Sequence, residues 1–275
     1  MKENSQIIAK RRYSVCFAHV KLAAFISTLP RFRAPHPMTE LQEIRHLFSG
    51  AASAIETRFS ERNQLAGEVA PGQLAEAMTK LLFVFEKLDK EHGAYGPLPY
   101  DDPSDLGEHC INIAADLATW AKRMELPQAK IDVEKVAVGV ALWVVRHEGE
   151  IRALETIVNG FAAKANNTTA EESLHALFRA MQAVLEHTTQ AIKSDLDKSN
   201  PGRPWRILNF NCAIVATRTQ DAPLMHEAFD TLGRNLPEDA PAFFEEGLKQ
   251  SDKPVYGPLV KSLMQEYFAR WTVRH

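Results

Sequence analysis

The sequence contains few cysteines, three among 275 residues. Cys16, Cys110 and Cys212 are odd in number and widely spaced, which excludes the dense disulfide framework of a small secreted domain. Two of them, Cys110 and Cys212, lie among apolar residues, and we interpret them as small buried thiols in a reducing compartment. The pattern favours a cytoplasmic protein that needs neither a disulfide nor a metal ion to fold.

The sequence also lacks long apolar runs and the familiar catalytic motifs. Its most apolar N-terminal stretch, residues 15–29, is interrupted by His19 and Lys21, and no other segment has the length of a membrane helix. The motifs G-x-S-x-G, G-x-x-x-x-G-K-[ST] and G-x-G-x-x-G are absent, so the sequence identifies no site for acyl transfer, phosphate binding or dinucleotide binding. We expect no membrane span and no cofactor.

Charged residues are distributed unevenly along the chain, although its formal net charge is only -3. Residues 1–38 carry seven Lys or Arg and a single Glu. We predict that 1–38 is a basic, disordered N-terminal extension, that Met38 is the functional start, and that 39–275 form an all-helical domain. An export signal is the alternative interpretation of the extension. The remaining residues supply no clustered cationic face, so we expect no nucleic-acid partner.

Hydrophobic periodicity predicts helices throughout residues 39–275. Apolar residues recur at intervals of three and four, as in the segment that Thr39 and Gln42 open with a capping box. We assign residues 133–145 to a central buried helix despite their many valines. The fold class is therefore all-α, with about ten helices in stacked antiparallel hairpins that form either a solenoid-like array or an irregular bundle. Two candidate halves are 39–128 and 129–275.

Helix-start signals separate these segments. The triplet Asp-Ala-Pro occurs at Asp221 and again at Asp239, and an Asp before a first-turn Pro is typical of a helix N-cap. Thr169 and Glu172 predict a second capping box. These signals place helical hairpins close together in the C-terminal quarter of the chain.

One of these hairpins resembles a known repeat family. Trp205, Leu208 and Cys212 resemble the W-x-x-L-G-x-x-Y pattern in the first helix of tetratricopeptide repeats, although Asn209 stands where that pattern has Gly and Cys212 where it has Tyr. Residues 146–155 also resemble residues 218–227 at an offset of 72, which is twice 36 and close to the roughly 34-residue repeat. The resemblance covers the C-terminal quarter and implies hairpin stacking.

Two loops carry residues suited to binding. Residues 93–105 offer Tyr95 and Tyr100 beside several prolines, and residues 200–206 offer Arg203 and Arg206 around a tryptophan. Paired guanidinium groups hold carboxylates or phosphates well. The alternative is that both loops are rigid crossovers, with Trp205 packed inward.

Further candidates lie on the helix that follows Pro204. Asn211 shares a stripe with Leu208, Ile214 and Arg218; it either bonds to another helix or faces a ligand groove. Arg218 is expected near a helix C-terminus. The candidate binding residues are therefore Tyr95, Tyr100, Arg203, Arg206, Asn211 and Arg218.

Two E-x-x-H pairs, Glu43 with His46 and Glu172 with His175, are interpreted as solvated helix faces rather than metal ligands, because their order does not fit a di-iron bundle.

Our first hypothesis is a helical-repeat-like protein-interaction or scaffold module without catalysis, with a protein or peptide partner and a capacity to form homo-oligomers. The alternative is a helical enzyme or small-ligand-binding protein with its pocket between the two halves. The sequence does not decide between enzyme and non-enzyme.

Overall fold

A computed structural model describes residues 37–62, 69–99 and 102–272. The predicted all-α fold is confirmed: the described residues form eleven helices, and their only β-type pairing is an isolated bridge between Ile151 and Thr188. The helices are α1 Pro37–Glu61, α2 Pro71–His92, α3 Pro103–Arg123, α4 Pro127–Arg146, α5 Glu155–Asn167, α6 Glu171–His187, α7 Gln190–Lys193, α8 Pro204–Thr219, α9 Ala222–Asn235, α10 Ala240–Gln250 and α11 Pro258–Thr272.

Helix α4 lies at the centre of the first part of the fold. It packs against α1, α3, α5 and α6, which explains why Val136, Val138 and Val140 are all buried although they point in different directions around the helix. The prediction of a central buried helix at residues 133–145 is therefore confirmed. Neighbours around α4 override the β propensity of its valines.

Close contact between α4 and α5 depends on Gly160. A Cβ atom at this position would lie 2.2 Å from the backbone oxygen of Glu134 and 2.8 Å from a methyl group of Val138. Only a residue without a side chain lets the two helix backbones approach so closely.

Helix α8 has the corresponding central place in the second part. It packs against α5, α6 and α9, while α11 packs against α9 and α10. Rings of Phe229, Phe243, Phe244 and Tyr267 meet edge to face or tilted between α9, α10 and α11. Helices adjacent in sequence pack together through most of the chain, as in a series of hairpins.

One continuous cluster of buried side chains runs from Leu41 to Tyr267. The boundary placed between candidate halves 39–128 and 129–275 falls within the first turn of α4. Residues 1–36, which include Cys16 and most of the basic extension 1–38, lie outside the described residues. None of the helices in the described ranges combines the length and the apolarity that a membrane span requires.

Helix starts agree with the sequence at some positions and differ at others. Asp102 and Asp221 cap α3 and α9, and the Asp221 carboxylate accepts a hydrogen bond from the Leu224 amide at 3.1 Å. Two predicted capping boxes are wrong. Helix α1 already begins at Pro37, so Thr39 lies inside it, and the N-cap of α6 is Ala170, one residue after Thr169.

Candidate functional site

The two candidate arginines of residues 200–206 lie inside the protein. Arg203 is 7% exposed and contacts Asp195 through Nε at 2.5 Å and through Nη2 at 2.9 Å. Its Nη2 also donates to Asp239 at 2.8 Å, and Arg206 Nε donates to the same carboxylate at 2.7 Å. Burial opposes the charge, but the hydrogen bonds and charges of the two aspartates outweigh it and raise the pKa of Arg203.

The guanidinium pair therefore holds the chain's own carboxylates. Asp239 precedes α10 without capping it, because its carboxylate points instead to Arg203 and Arg206. The two guanidinium groups satisfy both oxygens of Asp239, whereas a cap would satisfy one. Trp205 is buried, as in the rigid-crossover interpretation. The ion pairs of Arg203 and Arg206 with Asp195 and Asp239 connect the end of α7 with the starts of α8 and α10.

The other two candidates on α8 have different surroundings. Asn211 is buried in the interior, and its Nδ2 has no hydrogen-bond partner. Arg218 lies in the last turn of α8, as expected, but its guanidinium donates to carbonyl oxygens at the end of α5, Ala165 at 2.7 Å and Thr168. Burial lowers the pKa of Arg218, and Arg218 caps the neighbouring helix.

Among the predicted binding residues that the structure describes, Tyr95 is the most exposed. Its side chain is 68% exposed, and its ring centre lies 5.9 Å from the Arg146 guanidinium carbon. Tyr100 lies outside the described residues. Tyr95 belongs to the segment 93–99, which we call the strap; it connects the end of α2 toward α3 and crosses the C-terminus of α4.

Beneath the strap lies a polar cluster that the sequence interpretation missed. The Asp89 side chain is fully buried; its Oδ1 accepts hydrogen bonds from Trp143 Nε1 at 2.7 Å and contacts His147 Nε2 at 2.9 Å. The other ring nitrogen, His147 Nδ1, lies 2.8 Å from the carbonyl oxygen of Gly96. Arg146 approaches Asp89 Oδ2 at 3.6 Å. We call Asp89, Trp143, Arg146 and His147 the Asp89 cluster.

The two contacts of the His147 ring each require one hydrogen-bonding proton. A carbonyl oxygen only accepts, so Nδ1 of His147 donates to Gly96. The Nε2 contact then has a proton either on the imidazole or on the carboxyl group. The cluster resembles an acid–base pair in composition, but both side chains are fully shielded from solvent.

Two polar atoms of the Asp89 cluster lack a hydrogen bond. Asp89 Oδ2 and Arg146 Nε are buried and make no hydrogen bond. Glu40 on α1 accepts from Arg146 Nη1 at 3.0 Å, so part of the arginine charge is balanced there. The signal available in the sequence was Asp89 itself, a carboxylate one turn after Phe85 on the apolar stripe of α2.

An open groove runs between α1 and α2, and we call it the α1–α2 groove. Its volume is about 830 Å³. Small and apolar side chains form its floor, while charged and polar side chains stand at its sides. The lining residues are Gln42, Arg45, His46, Phe48, Ser49, Ala52, Ser53, Glu56, Gly72, Ala75, Glu76, Thr79, Lys80 and Leu82.

A smaller depression adjoins the groove. It has a volume of about 460 Å³, shares Gln42 with the groove, and includes Phe83, whose side chain is 60% exposed. A large apolar ring facing solvent beside a concave surface is typical of a contact site. Sequence periodicity places Phe83 off the buried stripe of α2 but does not show that a groove lies beside it.

A second surface depression, of about 750 Å³, lies between α9 and α11. Beside it the buried Tyr267 hydroxyl donates to Asp230 at 2.8 Å, and Arg270 donates to the same carboxylate oxygen at 3.0 Å. Burial, reinforced by Asp230, raises the pKa of Tyr267. The phenol is therefore held as a protonated hydrogen-bond donor between helices.

The remaining sequence candidates have ordinary surroundings. Glu43 and His46 are exposed on α1. Within the described ranges, no three His, Cys, Asp or Glu side chains converge in an arrangement that could hold a metal ion. Cys110 and Cys212 are buried free thiols, as predicted.

No family model, curated protein or solved structure matches the chain.

Proposed function

We propose that this protein is an interaction module without catalysis of its own, and that it binds a helical segment of a partner protein in the α1–α2 groove. The observation that carries the proposal is the groove's form: an open channel of about 830 Å³ along two neighbouring helices, with an exposed phenylalanine at one end. This location replaces the groove that we expected around Asn211, which is buried.

A helix fits this channel better than an extended strand. Ala52 and Ala75 on its floor allow close approach of a third backbone, and a helix can lie in the groove between two packed helices. The lining on α1 runs from Gln42 to Glu56. At 1.5 Å per residue this stretch is about 21 Å long, enough for about four turns of a partner helix.

Charge at the sides of the groove would give selectivity. Lys80 pairs with Glu76 at 2.6 Å, and Arg45 pairs with Glu86 at 2.6 Å, all of them partly exposed. Such pairs contribute little to stability and exchange readily with groups on a partner. We expect the affinity to come from apolar contact with the floor and with Phe83.

The groove is tested by site-specific photocrosslinking in cells. Ser53 lines the groove, whereas Ala54 is exposed on the same helix outside the lining. A benzophenone amino acid at position 53 should crosslink one specific protein, and the same residue at position 54 should not. Equal crosslinking from both positions, or crosslinking from neither, would contradict the proposal.

Blocking the groove with a bulky side chain then tests whether the partner occupies it. Ser53→Trp should fill the groove and lower the amount of captured partner at least tenfold, while Ala54→Trp, the matched control, should leave it unchanged. Crosslinking of position 53 to a second copy of this chain would show that the groove serves homo-oligomers instead, and would overturn the assignment to a partner protein.

The free, buried state of Cys110 and Cys212 supports a cytoplasmic location for this module, since disulfides are the usual fate of thiols in oxidising compartments.

A further inference from the structure

The strap, residues 93–99, closes over the Asp89 cluster. Two hydrogen bonds join Gly96 to the end of α4. Its amide donates to the Arg146 carbonyl at 2.9 Å, and its carbonyl accepts from the ring Nδ1 of His147 at 2.8 Å. Tyr95 lies over the Arg146 guanidinium. We propose that the strap is a lid that opens while the helices stay folded, and that its opening gives solutes access to the Asp89–His147 pair.

The backbone of the strap is suited to such a movement. Gly93 and Gly96 both have φ of 94°, a conformation that residues with side chains rarely adopt. Neither glycine has a neighbouring atom within 4 Å of the position where a Cβ would lie. The strap therefore lies on the surface, and its glycines allow the rotations that lifting it requires.

Closure leaves polar groups unsatisfied, which favours opening. Asp89 Oδ2 and Arg146 Nε are buried beneath the strap without hydrogen-bond partners. Water reaching them when the strap lifts would offset the loss of the Gly96 hydrogen bonds. The closed and open forms are thus closer in free energy than the contacts of Gly96 alone would suggest.

When the strap opens, the His147 ring loses its hydrogen bond to Gly96, but it keeps its contact with Asp89, and the backbone of both residues is held by the helices. The His147 amide donates to the carbonyls of Trp143 and Val144, which fixes the residue at the end of α4. Asp89 lies in the last turn of α2 and keeps its hydrogen bond from Trp143. An open strap therefore presents a positioned carboxylate and imidazole beside a guanidinium group.

Native-state hydrogen exchange in low concentrations of urea tests the lid in the unaltered protein. Local opening exposes little surface, so exchange of the Gly96 amide, which is bonded to the Arg146 carbonyl when the strap is closed, should be faster than that of the α4 core and nearly independent of urea. Modification of His147 by diethylpyrocarbonate should show the same weak urea dependence. Exchange and modification that follow global unfolding, with its steep urea dependence, would refute the lid.

Gly96→Ala provides a second test that leaves the cluster's side chains in place. Because a side chain strains the backbone at φ 94°, the variant should speed exchange of the amide at position 96 and modification of His147 by about tenfold. His187→Ala is the matched control, since His187 binds the Gly149 carbonyl in the same manner, at 2.9 Å. Unchanged rates in folded Gly96→Ala, or an equal effect of His187→Ala on the strap, would contradict the proposal.

Discussion

Substitution of Gly160 by alanine tests whether backbone contact between α4 and α5 organises the fold. The added Cβ would lie 2.2 Å from the Glu134 oxygen, whereas unstrained contacts begin near 3.4 Å, so the helices must separate by about 1.2 Å. The obstructing atom is backbone, and no side-chain rotation can relieve the overlap. The helices themselves must move.

The expected magnitude combines two opposing terms. Alanine stabilises a helix interior by about 1 kcal/mol relative to glycine. Overpacking of a tight interface costs about 1–3 kcal/mol and more where backbone is displaced. Because α4 is the centre of the first part of the fold, we expect the overpacking cost of Gly160→Ala to be about 3 kcal/mol, the upper end of that range. After the gain of about 1 kcal/mol from alanine, the free energy of unfolding should fall by about 2 kcal/mol.

Gly50→Ala is the matched control. Gly50 lies in the interior of α1, it is exposed, and a Cβ there would meet no atom within 4 Å. Only the propensity term acts, so this variant should gain about 0.5–1 kcal/mol. Urea denaturation followed by circular dichroism measures both. A Gly160→Ala protein as stable as Gly50→Ala would refute the close contact.

Three further predictions concern buried charge, a cap and a thiol. Arg203→Ala should lower the free energy of unfolding by about 3–5 kcal/mol in urea denaturation, because it leaves the Asp195 carboxylate buried without its cation. Asp221→Ala should cost only about 1 kcal/mol in the same assay, since it removes a single cap hydrogen bond. Burial raises the pKa of Cys110 to about 12 from 9.0, so its contribution to stability is complete below pH 9 and is lost as the pH rises toward 12. Mass spectrometry after iodoacetamide treatment at pH 9 should find Cys110 unmodified in the native protein and modified in urea.

The helices were predictable because each has an apolar stripe of its own. Periodicity predicted helices throughout residues 39–275, and it assigned residues 133–145 of α4 to a buried helix correctly even though valines dominate them. Helix ends were less predictable, since a capping box needs a free backbone amide at the right residue. Thr169 had the right neighbours in sequence, yet α6 begins one residue too late for Thr169 to cap it.

Asp221 and Asp239 show why the sites were harder to predict. Both begin the triplet Asp-Ala-Pro, and both precede a helix. Asp221 caps its helix, whereas Asp239 pairs with Arg203 and Arg206, which lie more than 30 residues earlier. The local signal is identical in the two cases. Tertiary proximity of two arginines decides the difference, and it cannot be read from spacing.

The same competition explains where a partner can bind. A basic or acidic side chain is available for a partner only if the fold has not already given it a buried counter-ion. Arg203 is committed in this way, and Arg218 holds the end of α5. In contrast, Arg45 and Lys80 pair at the surface, where water can replace their partners at little cost. The α1–α2 groove thus combines exchangeable charge with accessible apolar surface, and this combination distinguishes it from residues 200–206, whose arginines bind the chain's own aspartates.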